Sequence, residues 1–196
     1  MTPELILPFL AGYLLGSIPF GLLLTRLGGK GDIRAIGSGN IGATNVLRTG
    51  SKGLAAATLI LDALKGSAAV LLAQLFWPDG VQFAAAGVMI GHLYPVWLKF
   101  QGGKGVATLL GVIAPLIPLG AAVYALVWLG LLLTVRISSV AGMVAAATAP
   151  LSAAVLGKDE FFPMMLGFAL LVVWKHRPNI ARLFAGTEPK IGAGAG

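Results

Sequence analysis

Glycine and short polar side chains are concentrated in the segment 27–52, which lies between two apolar runs. Its densest part reads Ser38-Gly39-Asn40-Ile41-Gly42-Ala43-Thr44-Asn45. Glycines let backbone amides approach a ligand closely, and hydroxyl and amide side chains add further donors. The pattern therefore predicts an anion site. A glycine-rich linker with helix caps is the competing interpretation, because such turns are common.

Two basic residues follow in the same segment. Arg48 lies one helical turn after Thr44, and Lys52 lies one turn after Arg48. A helix that begins near Asn40 would place all three on one face. We expect Arg48 to bind a phosphate through two parallel hydrogen bonds, since a guanidinium is a planar fork and a lysine ammonium is not.

A second glycine-rich segment, 99–106, contains Gly102-Gly103-Lys104-Gly105 directly before a predicted helix. This arrangement brings free amides, the positive end of a helix dipole and one ammonium group to one point, which is typical of a phosphate site. It is not a Walker A loop, because glycine follows the lysine where Ser or Thr is required. An ordinary turn at the membrane surface is the competing interpretation.

A third polar segment begins where the last apolar run ends, at His176, Arg177, Asn179 and Arg182. A histidine that titrates near neutral pH can serve as a general base or bind a phosphate. The competing interpretation is an interfacial belt in which Lys175 and Arg177 reach lipid head groups.

Charged residues also occur inside the apolar runs. Asp62 and Lys65 are three residues apart, so they share a helical face and can form a pair, which favours a structural role. His92 lies in the third apolar run, and we interpret it as a buried hydrogen-bonding group rather than a catalyst.

A further candidate turn, and the motifs that the sequence lacks, limit the types of reaction that the protein can catalyse. The short turn with Arg136, Ser138 and Ser139 can add donors to a site. With 0 cysteines the chain has no thiol nucleophile, and it contains neither a G-x-S-x-G elbow nor a carboxylate cluster for a metal. Neither His92 nor His176 is followed five residues later by Asp, as in many acyltransferases. Chemistry here has to rest on binding and orienting anions.

The amino-acid composition indicates the environment of these segments. Of 196 residues, 57% are hydrophobic and 11% are charged, whereas a soluble domain has about 25% charged residues. The mean hydropathy is +0.90. These values exclude a soluble enzyme, a nucleic-acid-binding domain and a disordered tail, and they predict an integral membrane protein. The net charge of +7 then indicates membrane topology and an anionic ligand or lipid surface.

The apolar runs predict the elements that carry the polar segments. Runs long enough to cross about 30 Å of hydrocarbon, and one shorter run, lie at about 4–26, 53–77, 80–99, 137–157 and 160–175. Pro115 and Pro118 interrupt 106–135, which we divide into two short helices that meet near 116–119. The sequence thus predicts an all-α bundle of seven transmembrane helices in a single domain, 1–196.

The positive-inside rule sets the orientation. With seven spans and the N-terminus outside, every one of the 14 basic residues except Lys65 and Lys158 faces the cytosol, so all three polar segments share the inner face. A five-span version, in which 106–135 only dips into the membrane, has the same parity and stays open. Residues 193–196 are expected to be disordered.

Taken together, these segments resemble one family, the bacterial membrane acyl-phosphate:glycerol-3-phosphate acyltransferases (the PlsY family). The resemblance rests on GSGNIGATNVLRTG (37–50), GHLYPVWLKFQGGKG (91–105) and HRPNIARLFAGTEPKIG (176–192). LDALKG around Asp62 and Lys65 fits as well. One departure is Pro178, at a variable position of the third motif, which we expect to bias Arg177 away from helical geometry.

The resemblance implies a reaction. The 1-hydroxyl of glycerol 3-phosphate attacks the carbonyl of a long-chain acyl phosphate and releases phosphate and 1-acyl-glycerol 3-phosphate, in the first acylation of bacterial phospholipid synthesis. The implied partners are these two substrates, membrane lipids and, functionally, a soluble acyl-phosphate synthase, with no cofactor and no nucleic acid. The implied location is the bacterial inner membrane, with the active site at the cytosolic face.

The family's motifs imply the site residues. Catalytic roles fall to Ser38, Arg48, Lys104, His176 and Asn179. Substrate binding is expected from the residues around them: Gly39, Asn40, Gly42, Thr44, Asn45, Lys52, Gly102, Gly103, Gly105, Ser138, Ser139 and Arg177. Asp62, Lys65 and Glu188 are expected to be structural.

Because an acyl phosphate is already activated, we expect direct transfer without an acyl-enzyme. Lys104 with its loop would bind one phosphate, and Arg48 with Ser38 the other; the family assigns the Lys104 loop to glycerol 3-phosphate. The hydroxyl proton goes either to His176 or to a phosphate oxygen of a substrate. The lack of an obvious serine–base pair favours the substrate oxygen.

Two other functions are compatible with part of the pattern. A small transporter or flippase for a phosphorylated solute or lipid would explain the short, proline-interrupted helices 106–118 and 119–135. Transporters, however, bind ligands near the midplane between two matching halves, and no second half is evident. A structural protein that binds anionic lipid would explain the basic residues but not the glycine-rich loops.

Overall fold

In the computed structural model, residues 3–192 are described, and their regular secondary structure is entirely helical. The predicted disorder of 193–196 lies outside the described residues. The helices are α1 (Pro3–Gly16), α2 (Phe20–Leu27), α3 (Ala43–Leu47), α4 (Lys52–Phe76), α5 (Val81–Leu93), α6 (Val106–Leu116), α7 (Pro118–Thr134), α8 (Ser138–Val155), α9 (Phe162–Lys175) and α10 (Arg177–Phe184). Short 3₁₀ turns occur at Ile33–Ala35, Pro78–Gly80, Val96–Leu98 and Asp159–Phe161.

Several of these elements are long and apolar enough to cross a membrane. The candidates among the described residues are Leu5–Leu27, Lys52–Phe76, Pro78–Leu98 and Ser138–Val155. Val106–Leu116 and Pro118–Thr134 are shorter apolar helices. The predicted all-α membrane fold is therefore confirmed.

The predicted division of 106–135 is also confirmed, and one proline causes it. α6 ends at Leu116 and α7 begins at Pro118. Ile117 between them is not helical, with φ −140° and ψ 73°, because a proline disfavours the helical conformation of the residue before it. Pro115 lies within the last turn of α6 and does not end the helix.

The first apolar run is less regular than predicted. We expected one helix over 4–26, but α1 ends at Gly16 and α2 begins at Phe20. Pro19 has no N–H to donate to the Leu15 carbonyl, which accepts a hydrogen bond from the Ile18 amide at 3.2 Å instead. The first candidate span therefore contains a break in its backbone hydrogen bonding.

The prediction that Thr44, Arg48 and Lys52 share one helical face is wrong. α3 ends at Leu47, and Lys52 is the first residue of α4. Gly50 between them has a φ of +81°, which interrupts the helix. The Ser51 hydroxyl then accepts a hydrogen bond from the Leu54 amide at 3.3 Å and caps α4.

The described chain divides into two compact units, residues 1–116 and 117–196. In the first, α1 packs against α5 and α4 against α6. Gly12 and Gly16 of α1, and Gly87 and Gly91 of α5, lie so close to the backbone of the opposite helix that a Cβ atom would collide with it. Small residues four apart on both helices are typical of close packing between membrane helices.

In the second unit, α8 packs against α7 and α9. Its buried face consists largely of alanines four residues apart, Ala141, Ala145, Ala149 and Ala153, each with 0% exposure. Small side chains again allow close approach between helices. α10 follows α9 directly after His176 and begins the third polar segment.

Candidate functional site

The first polar segment is organised by Asn45. This side chain is buried, and its Nδ2 donates hydrogen bonds to the carbonyls of Ile33 at 2.9 Å, Ile36 at 3.0 Å and Asn40 at 2.8 Å. We expected Asn45 to bind substrate. Its amide donates to three carbonyls of the same loop and so stabilises the shape of the loop, and its role in substrate binding stays a prediction.

Ser38 and Arg48 are brought together by the other end of the same side chain. The Ser38 amide donates to Asn45 Oδ1 at 3.2 Å, and Arg48 Nη1 donates to the same oxygen at 3.3 Å. Gly37, with a φ of +57°, makes room for this arrangement, because a Cβ atom there would collide with the Arg48 guanidinium. Two residues ten positions apart thereby share one acceptor.

The donors that this loop offers to a ligand differ from those predicted. The amides of Ser38, Gly39 and Gly42 donate to Asn45 Oδ1, the Ile36 carbonyl and Asn40 Oδ1, so they serve the loop itself. The Ser38 and Arg48 side chains are exposed. Within residues 3–192, the Ser38 hydroxyl makes no hydrogen bond and the Arg48 guanidinium makes only the one to Asn45. The donors of this loop that are available to a ligand are therefore the Ser38 and Arg48 side chains rather than these three backbone amides.

The other arginines near this loop are already paired. Asp32 forms ion pairs with Arg26 at 2.9 Å and with Arg34 at 2.6 Å. The hydrogen bonds from Arg34 above all hold the pKa of the Asp32 carboxyl well below its usual range. Arg48 differs from these two, because it forms no ion pair within residues 3–192.

A hydrophobic cluster brings the first two polar segments against one another. Ile33, Ile41 and Val46 from the first segment are buried there together with Leu22 and Ala55. Leu98, at the start of the second segment, packs against this cluster. Both segments are therefore positioned by one part of the core of the first unit.

The Lys104 loop folds back onto the end of α5. The amides of Gly102 and Gly103 donate to the Leu93 carbonyl at 3.2 Å and the His92 carbonyl at 2.9 Å. These two amides are thus not free for an anion, which corrects the expectation that the whole loop presents free amides. α6 begins at Val106, directly after Gly105, as predicted, and Lys104 is half-buried.

The predicted pair inside the second apolar run forms in the structure. Lys65 Nζ lies 2.6 Å from Asp62 Oδ1, and both side chains are almost fully buried. Lys65 also donates to the Ile18 carbonyl at 2.9 Å, at the break between α1 and α2. The ammonium group therefore compensates a carbonyl that the proline break leaves outside a regular helix.

In the second unit, Glu188 accepts hydrogen bonds from three polar side chains, two of them in the third segment. Its Oε1 accepts from Ser139 Oγ at 2.7 Å and from Asn179 Nδ2 at 2.5 Å, and its Oε2 accepts from Arg182 Nε at 2.7 Å. Burial alone would raise the pKa of Glu188, but the hydrogen bonds from Ser139, Asn179 and Arg182 lower it. Ser139, which we expected to bind substrate, is buried and tied to this carboxylate, and Ser138 opens α8 beside it.

His176 occupies the junction between α9 and α10. It is buried, and its Nδ1 lies 2.7 Å from the Val172 carbonyl. Since a carbonyl can only accept, Nδ1 carries the proton in the neutral ring and the lone pair is on Nε2. The side chain is thus oriented by the backbone of its own helix.

The expectation that Pro178 holds Arg177 away from helical geometry is wrong. Arg177 is the first residue of α10, and Pro178 lies in the first turn, where an amide has no helical partner in any case. The Arg177 guanidinium lies 4.6 Å from the centre of the Trp174 ring, an arrangement typical of a cation–π contact.

Comparison with known proteins identifies the family. A family model described as glycerol-3-phosphate acyltransferase matches residues 6–186. The glycerol-3-phosphate acyltransferase of Mesorhizobium japonicum is 56% identical over 193 residues, which cover 98% of this chain and 99% of that protein. That of Methylorubrum extorquens is 54% identical over 191 residues, with 97% and 94% covered. The chain belongs to the glycerol-3-phosphate acyltransferase family.

Two solved structures of this family share the fold. Both are crystal structures of PlsY, an integral membrane glycerol 3-phosphate acyltransferase, and both are 40% identical to this chain. The glycerol 3-phosphate form has a TM-score of 0.89 and covers 95% of each chain. The lysophosphatidic acid form has a TM-score of 0.87, with 97% of this chain and 96% of that one covered. The resemblance to the PlsY family is confirmed.

Several contacts between the predicted site residues were not apparent from the sequence. The sharing of Asn45 by Ser38 and Arg48, and the sharing of Glu188 by Ser139 and Asn179, depend on contacts between distant positions. No periodicity in the sequence signals them. The contact of the His92 ring with Gly103 likewise depends on the fold and has no signal in the sequence.

Proposed function

We propose that this protein transfers a long-chain acyl group from an acyl phosphate to the 1-hydroxyl of glycerol 3-phosphate, giving 1-acyl-glycerol 3-phosphate and phosphate. Family membership supports the acceptor, because relatives carry the name glycerol-3-phosphate acyltransferase. The observation that carries the proposal is the common Asn45 acceptor of Ser38 and Arg48. The Ser38 backbone amide and the Arg48 guanidinium share this acceptor, and both residues are exposed.

The two phosphate groups suit two parts of the first unit. Arg48 has N–H groups in a planar fork, which matches two phosphate oxygens, and Ser38 adds a hydroxyl donor. Lys104 supplies a point charge at the start of α6, where the helix dipole also favours an anion. We assign the Lys104 loop to glycerol 3-phosphate and the Ser38–Arg48 pair to the acyl phosphate.

The transfer itself is proposed to be direct. The 1-hydroxyl oxygen forms a bond to the acyl carbonyl carbon, and the bond from that carbon to the phosphate oxygen breaks, so phosphate leaves with the bonding electron pair. The hydroxyl proton passes to a phosphate oxygen of a substrate, with His176 as the alternative acceptor. Cations and hydroxyl donors next to both phosphates stabilise the charge that develops on the leaving group.

The site is proposed to face the cytosol of a bacterial inner membrane, in a single acyltransferase domain with seven spans and an outside N-terminus. One substrate is an amphiphile whose chain stays among the lipids, and the other is a water-soluble metabolite. A polar surface at the inner boundary serves both. A functional link to a soluble acyl-phosphate synthase follows, since a long-chain acyl phosphate has to be supplied.

A reconstituted assay tests the proposal. Purified protein in detergent receives glycerol 3-phosphate and, in separate reactions, a long-chain acyl phosphate, acyl-CoA or acyl carrier protein thioester. We expect lysophosphatidic acid and one equivalent of phosphate only with the acyl phosphate. Product from a thioester donor would overturn the assignment of the donor, and no product from any donor would favour a transporter or a lipid-binding protein.

A further inference from the structure

The Lys104 loop rests on the side chain of His92. Besides accepting the Gly103 amide at 2.9 Å through its carbonyl, His92 places its imidazole against Gly103. A Cβ atom at Gly103 would collide with the ring, and the nearest ring atom is Nε2. Because Gly103 directly precedes Lys104, the position of the ring limits where the backbone of Lys104 can lie.

The opposite edge of the ring faces the buried ion pair. His92 Nδ1 lies 3.7 Å from Asp62 Oδ1, which in turn lies 2.6 Å from Lys65 Nζ. The exposed fractions of the three side chains are 4%, 5% and 2%. Burying polar groups so deeply in membrane helices costs free energy. Here Asp62 and Lys65 of α4 lie beside His92 of α5, whose ring contacts the loop at Gly103.

This arrangement has a physical consequence for ligand binding. Gly102, Gly103 and Gly105 give the loop more backbone freedom than other residues would. Ordering such a loop around a ligand lowers affinity, whereas a loop already held in its bound shape loses less entropy. Support from a rigid, buried ring beneath Gly103 would reduce that loss.

We propose that His92 is a positioning residue whose imidazole, packed against Gly103 and facing the Asp62–Lys65 pair, preorganises the Lys104 loop for the phosphate of glycerol 3-phosphate. The identity of the ligand rests on the proposed function. His92 does not exchange protons with substrate in this scheme, and the effect of its loss falls on binding. The apparent KM for glycerol 3-phosphate should therefore rise while kcat changes little.

Steady-state kinetics with varied glycerol 3-phosphate test this directly. We expect His92→Ala to raise the KM about tenfold, because small displacements of binding groups have effects of that size or more, and to change kcat less than about threefold. His92→Phe keeps a ring against Gly103 and should give an intermediate KM. Ser67→Ala is the matched control, since Ser67 donates to the Gly111 carbonyl at 2.8 Å, a contact of α4 with α6 that does not involve the loop. Its KM should stay at the wild-type value.

A double-mutant cycle makes the contact itself testable. Gly103→Ala introduces a methyl group that collides with the His92 ring, so it should raise the KM in the wild-type background. In the His92→Ala background that space is open, and the same change should have a smaller effect. Additive effects in the cycle, or a wild-type KM for His92→Ala, would overturn the inference. Partial misfolding does not imitate the expected result, because KM is independent of the amount of active enzyme.

Ligand protection separates this inference from the proposed function. Lys104 is modified with an amine reagent in the purified full chain and quantified by mass spectrometry, with and without glycerol 3-phosphate or inorganic phosphate. We expect both anions to protect Lys104 in the wild type and less so in His92→Ala. If the wild type lacked acyltransferase activity but this difference persisted, the proposed function would fail and the inference would stand. Equal protection in both proteins would contradict the inference whatever the activity.

Discussion

Arg48 is the residue on which the proposed binding of phosphate in the first loop depends. Its guanidinium makes a single hydrogen bond within residues 3–192, to Asn45 Oδ1 at 3.3 Å. The remaining N–H groups form the fork that a phosphate can occupy with two parallel hydrogen bonds. The geometry of the group, and not only its charge, should therefore matter.

We predict that Arg48→Lys lowers kcat/KM by about a hundredfold, since a lysine keeps the charge and loses the fork. Arg34→Lys is the matched control, because Arg34 is committed to Asp32 at 2.6 Å; its activity should stay within about twofold of wild type, as for most exposed positions. Near-normal activity of Arg48→Lys would show that the guanidinium does not bind two oxygens.

A substitution at His176 distinguishes between the two proposed acceptors of the hydroxyl proton. Its Nδ1 is held at 2.7 Å from the Val172 carbonyl, so a glutamine at this position can keep a donor but cannot accept a proton at neutral pH. If a substrate phosphate oxygen takes the proton, we predict that His176→Gln lowers kcat less than about tenfold, whereas loss of a general base costs about 10²–10⁴.

Single-turnover kinetics of His176→Gln with saturating substrates provide the measurement. Binding of both substrates is checked separately, so that a fall in rate can be assigned to the chemical step. Complete loss of the chemical rate with both substrates bound would make His176 the base and would contradict direct transfer of the proton to a phosphate oxygen.

At the scale of elements, α1 and α5 depend on close backbone approach. A Cβ atom at Gly87 would overlap the Phe9 carbonyl, and neither backbone can move without separating the helices. We predict that Gly87→Ala lowers the unfolding midpoint and the yield of folded protein, because helix packing in membranes depends on such contacts. Thermal unfolding in detergent measures this.

Gly167→Ala in α9 is the control for Gly87→Ala, since nothing lies within 4 Å of its added Cβ atom. In a helix interior, alanine is more favourable than glycine by about 1 kcal/mol. The thermal midpoint of this variant should therefore be unchanged or higher. Equal destabilisation by the two substitutions would mean that helix packing at Gly87 is not the cause.

The Glu188 network ties the segment after α10 to the start of α8. Hydrogen bonds from Ser139, Asn179 and Arg182 lower the pKa of Glu188 from its ordinary value of 4.5 despite its burial. A carboxyl whose pKa is depressed in the folded state stabilises that state above the ordinary pKa. The contribution is lost as the pH falls through the folded-state pKa.

We predict that the thermal midpoint of the wild type declines below about pH 4.5 more steeply than that of Glu188→Gln. The variant should be less stable near neutral pH, since it lacks the carboxylate that three donors share. Thermal scans of both proteins in the same detergent, from neutral to acidic pH, provide the comparison. Parallel curves would exclude a stabilising carboxylate at this position.

At the scale of the whole molecule, the positive-inside rule can be tested without background labelling. The chain has 0 cysteines, so a single engineered thiol is the only target of a membrane-impermeant maleimide. With seven spans we predict that Lys30→Cys and Lys190→Cys are labelled only from the cytosolic side, and Lys158→Cys only from outside. Labelling of Lys190→Cys from outside would require a different number of crossings.

The two proposed substrates would account for a membrane enzyme of this composition. The apolar helices suit an amphiphilic acyl donor, whereas glycerol 3-phosphate requires a water-facing, cationic surface. On this proposal the basic excess of +7 would serve both membrane topology and anion binding.

Sequence alone was sufficient for the membrane class, the helical fold and the break before Pro118, but it did not predict the break at Pro19. These features follow from local properties: hydrophobic length, the missing amide of Pro118, and the spacing of Asp62 and Lys65 on one helical face. The three polar segments were also recognisable by composition. Each inference needed only residues that are neighbours in the chain.

Only the tertiary structure decided which polar groups are bonded within the fold and which are exposed. Asn45 and Ser139 have residue types that suit ligand binding, but buried acceptors and donors elsewhere occupy them. The His92 ring reaches Gly103 because the loop folds back along α5. A buried polar group must find a partner, and which partner it finds depends on how distant helices pack, which no local pattern records.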